Sequence, residues 1–400
     1  MTTRRGLMQA AAALAVALTT TAQAEPTYSP GASDKEIVIG TTMPLSGPAS
    51  AYANIGKAME AYFRMVNDQG GINGRQIRLI VYDDMYSPPQ TVQMTRRLVE
   101  RDEVFMTLGA LGTATQAAVQ DYMNENGVPQ VFISGDGDRF ADAKNYPWSI
   151  NLGPTYRTEG GAFARHVLAK QPDAKIAVLH QDDDAGRSAY EGFRSVIEEA
   201  GKGDQIVSVQ TYVPTDPTLD QQVIAMQGSG ADVLFVHSLP RATALVLRKA
   251  HSIGWNPQKY VVFAGSLISS AIEPAGRETA LGMISSAFRR TVTDPMWADD
   301  PDVKAFHEWQ QNYAPDANVN DITWTYGYDV AAAGTELLRM AGDNLTRENI
   351  RHLIGNLDGF RTPMSWPGLT FNTTPDDYFA MTRLQLLQFD GERYVPIDAD

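Results

Sequence analysis

The chain has 400 residues, a formal net charge of −14 and no cysteine. Its length exceeds what one hydrophobic core normally organises, so we expect two domains. The acidic balance, without a basic patch, argues against nucleic acid and anionic membranes as partners, and the lack of cysteine excludes thiolate catalysis, disulfides, cysteine-bound metals and a lipidated cysteine anchor.

The first 24 residues have the features of an export signal. Arg4 and Arg5 precede an apolar stretch over residues 7–18, and Ala22 and Ala24 offer a small-residue cleavage site. We expect cleavage after Ala24, which removes the two arginines and takes the net charge from −14 to −16. The mature protein is then expected in the periplasm, reached by the general secretory route or by the twin-arginine route. No later apolar run is long enough for a membrane helix, so no direct membrane insertion is expected.

The first half of the remaining chain alternates between strand and helix patterns. Continuous apolar runs predict strands, and apolar residues at i, i+3 and i+4 predict helices. In chain order we predict strands at 37–43, 77–82, 104–108 and 128–133, and helices at 55–66, 91–99 and 115–126. This alternation predicts a parallel sheet with helices on both faces.

A second series of the same kind follows, and the chain ends in helices and a β-like tail. Here we predict helices at 156–169, 187–200, 219–226, 242–253, 302–313, 325–341 and 349–356, and strands at 176–180, 206–212, 233–236, 260–263, 369–371, 381–389 and 394–397. The predicted fold class is α/β, with two doubly wound parallel-sheet lobes joined by a three-strand hinge. Lobe 1 comprises 25–152 plus 290–355, and lobe 2 comprises 153–289 plus 356–400. A hinge of this kind allows the lobes to close on a ligand.

Loops at the carboxyl ends of the first-lobe strands are candidate binding segments, because ligands of doubly wound sheets bind there. Ser46 and Tyr52 lie in the first such loop. Residues 109–115 follow a strand and open a helix, so that their N–H groups and the Thr113 hydroxyl favour an anion. We also expect Thr113 to cap this helix.

The next loop, after the strand at 128–133, combines small and acidic residues. Ser134 and Gly135 lie where a backbone can approach a ligand closely. Asp136 and Asp138 are interpreted as capping residues of a turn, because the rest of a calcium-binding loop is missing.

The remaining polar residues favour binding over catalysis. The chain has no nucleophile elbow, no zinc-protease motif, no phosphate loop and no dinucleotide fingerprint. His180 and His237 each end a second-lobe strand, where a polar residue either closes the strand or contacts a ligand. The acidic run 182–184 precedes a helix, and we interpret it as capping that helix rather than binding a metal. No metal and no cofactor are predicted.

Several segments together carry a resemblance to a known family. They are Ile39–Gly47 (IGTTMPLSG), Asn67–Gly74 (NDQGGING), Tyr82–Asp84, Pro129–Ser134, Gln181–Gly186 (QDDDAG) and Ala250–Gly254 (AHSIG). In this order, and behind an export signal, they make the chain resemble the periplasmic solute-binding proteins of ABC importers, in the branched-chain amino-acid (Leu/Ile/Val-binding) family. The resemblance implies a type I periplasmic binding fold, a small-molecule ligand in the cleft, a membrane permease as partner, a monomer and no enzymatic activity.

The resemblance also implies which residues line the cleft. In the first lobe these are Ser46, Tyr52, Leu111, Gly112, Thr113, Ser134 and Gly135, with residues 111–113 receiving a ligand carboxylate. In the second lobe they are Tyr156, Asp184, Ala185, His237, Ser238 and Ser266.

Two departures from the family pattern bear on the ligand. Ala185 stands where amino-acid binders often have an aromatic residue, and this leaves space. Residues 265–268 (GSLI) stand where a carboxylate for a ligand ammonium is expected, and a buried ammonium without a partner is costly. We therefore favour an aromatic or other organic carboxylate, with branched-chain or other amino acids as the alternative. Alternatives of other classes are a sensory receptor of the same fold and an exported α/β hydrolase that uses His180 or His237.

Overall fold

The computed structural model describes residues 28–398, so the predicted signal peptide and its cleavage site lie outside the described residues. The strands are β1 (Glu36–Met43), β2 (Gln76–Asp83), β3 (Met106–Leu108), β4 (Gln130–Ile133), β5 (Ser149–Asn151), β6 (Ile176–Gln181), β7 (Ile206–Tyr212), β8 (Val233–His237), β9 (Gln258–Val261), β10 (Ile284–Ala287), β11 (Gln385–Phe389) and β12 (Tyr394–Ile397). The helices are α1 (Asn54–Asp68), α2 (Pro88–Arg96), α3 (Thr113–Glu125), α4 (Tyr156–Lys170), α5 (Asp184–Glu199), α6 (Asp220–Gly228), α7 (Pro240–Ser252), α8 (Glu273–Ala275), α9 (Pro301–Tyr313), α10 (Ile322–Ala341) and α11 (Arg347–Ile354). Among the described helices, none has the length and apolar character needed to span a bilayer.

The first sheet has five parallel strands in the order β2-β1-β3-β4-β5. In β1, residues 37–43 are all buried, because helices cover a parallel sheet on both faces. Helix α1 buries the predicted i, i+3, i+4 face from Ile55 to Val66. After α1 the chain turns through Gly70 and Gly71, whose φ angles of 99° and 75° suit glycine. This β1–α1–β2 unit holds the first loop at the carboxyl edge of the sheet.

The second sheet has seven strands in the order β12-β11-β10-β9-β8-β6-β7. Strands β6 to β10 are parallel, whereas β11 and β12 add to the edge as an antiparallel hairpin. The hairpin turn is stabilised by Asp390, whose carboxylate accepts hydrogen bonds from the backbone N–H groups of Glu392 and Arg393 at 2.8 and 2.9 Å. The predicted α/β class with two doubly wound sheets is confirmed, and the tail extends an existing sheet as expected.

The prediction missed two strands and placed one where the structure has none. Strands β5 (SIN) and β10 (ISSA) are only three and four residues long and rich in serine, so no apolar run marks them. The predicted strand at 369–371 is wrong, since Phe371 forms only a single bridge with Phe360.

Within residues 28–398 the chain passes between the two sheets three times, namely after β5, after β10 and before β11. Residues 356–381, which we predicted in lobe 2, pack in the core of the first sheet. There the Phe360 ring stacks on Phe132 with centroids 5.5 Å apart. On this ground we propose that residues 356–381 belong to lobe 1, and that the other lobe boundaries stay as predicted.

Candidate functional site

A cavity lies between the two lobes, at the carboxyl ends of the strands of both sheets. It encloses about 710 Å³, part of it open to solvent, which is within the range of small-molecule sites. Its lining is mostly aromatic and aliphatic with a few polar groups: Tyr52, Ile55, Tyr86, Leu111, Gly112, Thr113, Ser134, Gly135, Asp136, Tyr156, Gln181, Ala185, His237, Ser238, Leu239, Phe263, Ala264, Leu267, Ile322, Thr323 and Tyr326. The cavity is where the carboxyl-end rule for parallel sheets places a ligand.

Ten of the thirteen predicted binding residues line this cavity. They are Tyr52, Leu111, Gly112, Thr113, Ser134, Gly135, Tyr156, Ala185, His237 and Ser238. Eight of the ten lie at or just after the carboxyl ends of β1, β3, β4 and β8, so the structure brings together what the strand-end rule selected. Their contacts with a ligand stay a prediction.

Three predicted binding residues lie outside the lining, each for a visible reason. The Ser46 hydroxyl donates to Asp83 at 2.6 Å, which turns it towards the end of β2. Asp184 lies at the rim, where its carboxylate is bound by arginine side chains. The Ser266 hydroxyl accepts a hydrogen bond from Ser285 at 2.7 Å and lines a neighbouring chamber instead.

The N-terminus of α3 forms one polar corner of the cavity. Helix α3 begins at Thr113 with Gly112 in the N-cap position (φ 102°), and no side chain of residues 28–398 caps it, so the predicted cap by Thr113 is wrong. The buried Thr113 hydroxyl has no hydrogen-bond partner among the described residues. The first N–H groups of a helix also lack intrahelical acceptors. The corner therefore offers donors and a helix dipole to an anion.

Two glycines allow the close packing around this corner. A Cβ on Gly112 would lie 2.6 Å from the Tyr86 ring, and a Cβ on Gly135 would lie 2.8 Å from the Thr113 nitrogen. The loop after β4 thus lies directly against the start of α3. Larger residues at either position would push the walls of the corner apart.

His237 forms a polar point on the second-lobe wall. It is buried, and burial together with the nearby His180 lowers its pKa to about 3, so the imidazole is neutral at physiological pH. Neither ring nitrogen has a partner among the described residues. The ring packs edge-to-face against Tyr156, with centroids 4.5 Å apart. A neutral histidine in this position can offer one donor and one acceptor to a ligand.

Asp136 is the single carboxylate among the described lining residues. It is 8% exposed, and its Oδ1 accepts a hydrogen bond from the Asn151 amide at 2.8 Å. Burial raises its pKa to about 6, against the opposing effects of the Asn151 hydrogen bond and the Arg289 charge. The interpretation of Asp136 as a turn-capping residue therefore missed a titratable group in the cavity wall.

Other lining residues were also missed by sequence reasoning. They are Ile55, Tyr86, Gln181, Leu239, Phe263, Ala264, Leu267, Ile322, Thr323 and Tyr326. Tyr86 follows β2 with a positive φ of 57°, a strained conformation that is frequent at functional sites. Because Tyr86 lies just beyond the end of β2, the strand-end rule could have identified it as a binding residue. Tyr326 lies within α10, where the pattern indicated only core packing and gave no such signal.

The acidic run before α5 acts as predicted for one of its members. Asp183 is the N-cap of α5, and its side chain accepts a hydrogen bond from the Gly186 N–H at 2.9 Å. In the part of the chain that the structure describes, no cluster of acidic or histidine side chains is arranged to hold a metal ion.

His180 lies outside the cavity lining, with Nδ1 2.9 Å from the Gln181 carbonyl and its ring stacked on Tyr190.

Contacts between the lobes hold the cavity closed. The Tyr52 hydroxyl donates to the Ala264 carbonyl at 2.7 Å across the cleft. At the rim, Arg139 of the first lobe pairs with Asp184 of the second at 3.1 Å. The structure is therefore a closed arrangement, and Asp184 contributes to closure rather than to the lining.

We expect Asp184→Asn to favour lobe opening by a small amount. The pair with Arg139 is partly exposed, so it contributes about 0.2–1 kcal/mol, and less at high salt. The radius of gyration from small-angle scattering should rise slightly at low salt. Asp182→Asn is the matched control, because Arg187 of its own lobe is the one ion-pair partner of Asp182 among the described residues. Equal effects of both substitutions would contradict a role of Asp184 in closure.

Comparisons with known proteins place this geometry in a family. The family model described as periplasmic binding protein matches residues 36–393. A Leu/Ile/Val-binding protein homolog 3 of Brucella melitensis is 25% identical over 271 residues, 66% of this chain and 70% of that protein. A branched-chain amino acid ABC transporter structure from Thermus thermophilus, with bound valine, has a TM-score of 0.81 at 20% identity and covers 91% of this chain and 96% of its own. A solute binding protein from R. palustris in complex with 4-hydroxybenzoate has a TM-score of 0.74 at 18% identity, covering 88% and 93%.

Proposed function

The chain belongs to the periplasmic binding protein family, and we propose that it captures an organic carboxylate with an aromatic body for the permease of an ABC importer. Members of this family bind ligands for transporters and are not enzymes, so the hydrolase alternative is dropped. The family implies an exported protein of the periplasm. A signalling partner in place of a permease remains an alternative with the same binding site.

One observation carries the ligand proposal, namely the uncapped start of α3 facing an aromatic cavity. The Thr113 hydroxyl has no partner among the described residues, no described side chain caps the helix, and the first N–H groups of a helix have no intrahelical acceptors. A ligand carboxylate would accept from them, and a charged acceptor strengthens such bonds. We propose that this corner binds the carboxylate.

The other walls suit a flat apolar body. Tyr52, Tyr86, Tyr156 and Tyr326 surround the cavity with aromatic surface, which favours offset or edge-to-face contact with a ring. Ala185 leaves space at the second-lobe wall, and neutral His237 offers a hydrogen bond to a polar group on the far side of the ligand. The R. palustris relative in complex with 4-hydroxybenzoate is consistent with a ligand of this kind in the fold.

A second candidate is an amino acid, and Asp136 specifically favours it. We expected no carboxylate for a ligand ammonium, whereas Asp136 lies in the cavity wall beside Gly135. A bound ammonium would pair with an ionised Asp136. The family resemblance to Leu/Ile/Val-binding proteins and the valine bound to the Thermus thermophilus structure also support this candidate.

A thermal-shift screen followed by calorimetry tests the proposal. A ligand that binds only the folded state raises the melting temperature by mass action. We expect shifts with benzoate and 4-hydroxybenzoate and none with leucine or valine. Shifts with leucine or valine alone would replace the organic-acid proposal by the amino-acid candidate.

Thr113→Val is expected to weaken carboxylate binding by about tenfold or more. The substitution keeps the shape of the side chain and removes one charge-assisted hydrogen bond, and about 1.4 kcal/mol corresponds to tenfold in affinity. Thr335→Val is the matched control, because its buried hydroxyl also lacks a partner among the described residues but lies outside the cavity. Calorimetric affinities that are equal for the two variants would remove Thr113 from the site.

A further inference from the structure

A second chamber lies beside the ligand cavity, next to a segment that crosses between the lobes. We call it the hinge chamber. It encloses about 1490 Å³, much of it open to solvent, and its walls come from residues 266–269, the segment from β10 to Asp294, the loop 318–322 and the turn between β11 and β12. Phe263, Leu267 and Ile322 line both spaces. These apolar side chains form a partition between the two.

Part of the chamber wall is polar and buried. The Ser285 hydroxyl donates to Ser266, and Arg289, only 2% exposed, also lines the chamber. Arg289 donates through Nε to Asp329 at 2.7 Å and through Nη2 to the Leu152 carbonyl at 2.9 Å. Its Nη1 has no hydrogen-bond partner among the described residues. A buried guanidinium donor without an acceptor is costly, so this wall favours a group that can accept a hydrogen bond.

The arginines of the chamber wall already have carboxylate partners. Arg277 pairs with Glu273 at 2.7 Å and Arg393 pairs with Asp294 at 2.6 Å, while Arg289 pairs with Asp329. Every arginine of the wall therefore has a carboxylate partner. The chamber suits an uncharged hydrogen-bonding group better than a second carboxylate, which would have to compete with these acids.

We propose that the hinge chamber is an extension subsite that holds the uncharged polar end of an elongated ligand, such as a hydroxyl or amide. The inference rests on the proposed function, because the ligand's carboxylate must lie at the start of α3 while its far end passes the partition. Phe263 and Ile322 are partly buried, and the proposal requires their side chains to move aside for a longer ligand. Arg289, which lines the hinge chamber and not the ligand cavity, then donates to the polar end through Nη1.

Three probes with one carboxylate each test the subsite by calorimetry. They are benzoate, 4-butoxybenzoate and 4-(3-hydroxypropoxy)benzoate, the last two having the same length but an apolar or a hydroxyl end. We expect the hydroxyl-ended probe to bind about tenfold more tightly than the butoxy probe, which corresponds to one added buried hydrogen bond. Ser269→Trp, which fills the chamber at a half-buried position, should weaken both long probes and leave benzoate within about twofold.

The controls separate this inference from the proposed function. Ser270→Trp changes the adjacent, equally half-buried residue, which lines a different groove, and should leave all three affinities unchanged. Ser269→Leu replaces the tryptophan variant if circular dichroism shows that the latter is unfolded. Binding of benzoate with equal affinities of the two long probes, or with no effect of Ser269→Trp on them, would overturn the subsite alone. If no probe binds while leucine does, the proposed ligand class fails, and the subsite fails with it.

Discussion

Replacing Asp329 by alanine is expected to lower the free energy of unfolding by about 3–5 kcal/mol. Asp329 is fully buried on α10 and pairs with Arg289 at 2.7 Å. It also accepts hydrogen bonds from the Thr362 hydroxyl and the Met364 N–H at 2.7 and 2.9 Å. The substitution leaves the Arg289 charge buried without its partner, which costs far more than a lost surface pair. Asp329 therefore connects α10 to two other segments, the one that follows β10 and the one at residues 362–364, and so stabilises the hinge region.

Urea denaturation followed by circular dichroism measures this loss. Glu336→Ala is the control on the same helix, because the Glu336–Arg339 pair is half-exposed on both sides and 3.7 Å apart. A surface pair of this kind contributes about 0–1 kcal/mol. Similar denaturation midpoints for the two variants would mean that the buried pair is not a main contributor to stability.

Long apolar patterns explain why most of the fold was predictable. The continuous apolar run of β1 predicts a strand that is buried on both faces. The apolar residues of α1 recur at i, i+3 and i+4, which predicts an amphipathic helix. Strands β5 and β10 have no such pattern. They form because they pair with neighbouring strands, which their own side chains do not indicate. The proposed placement of residues 356–381 in lobe 1 likewise goes beyond local patterns, since it rests on tertiary packing such as that of Phe360 on Phe132.

The site was predictable where it depends on strand ends, and not where it depends on tertiary packing. The loops around Leu111, Ser134 and His237 follow strands, and the topology brings their ends to one edge. Tyr326 lines the cavity from α10, and local sequence patterns do not predict where this helix packs. Asp184 shows the reverse case, because its motif position is at the cleft but Arg139 holds it at the rim.

Asp136 matters most for the ligand, because it changes an argument made from the sequence. The absence of a carboxylate at residues 265–268 argued against an amino acid. The structure instead places a carboxylate in the first lobe, beside the corner at which we propose the ligand carboxylate binds. An organic acid should therefore bind more tightly when Asp136 is protonated, and an amino acid when Asp136 is ionised.

The affinity for an organic acid is expected to fall as the pH rises above about 6. The pKa of Asp136 is about 6 before binding. A ligand carboxylate nearby raises this pKa further, so the complex takes up a proton and is most stable when Asp136 is protonated. Between the pKa of Asp136 in the free protein and its higher pKa in the complex, the dissociation constant should increase by up to about tenfold per pH unit. An amino acid has the opposite effect, since its ammonium lowers the pKa of Asp136; its affinity should fall below about pH 6 and be constant above it.

Calorimetric titration between about pH 5.5 and 8, where an ordinary carboxylic acid ligand stays ionised, distinguishes the two signs. Other titratable or charged groups near Asp136 are Arg289, Tyr156, Glu159 and Tyr326. Of these, Glu159 titrates in the range, because burial raises its pKa to about 7.

Asp136→Asn is the control that separates the contribution of Asp136 from that of Glu159, since it removes the titratable group at position 136 and keeps Glu159. In this variant the pH dependence of organic-acid binding should flatten to the part that Glu159 contributes, whereas an amino acid should lose affinity at every pH, because its ammonium loses the ionised partner. A pH profile that is the same in the original protein and in Asp136→Asn would show that Asp136 does not face the bound ligand. The carboxylate corner at α3 would then have to be reconsidered, because Asp136 follows directly on Gly135, which packs against the start of that helix.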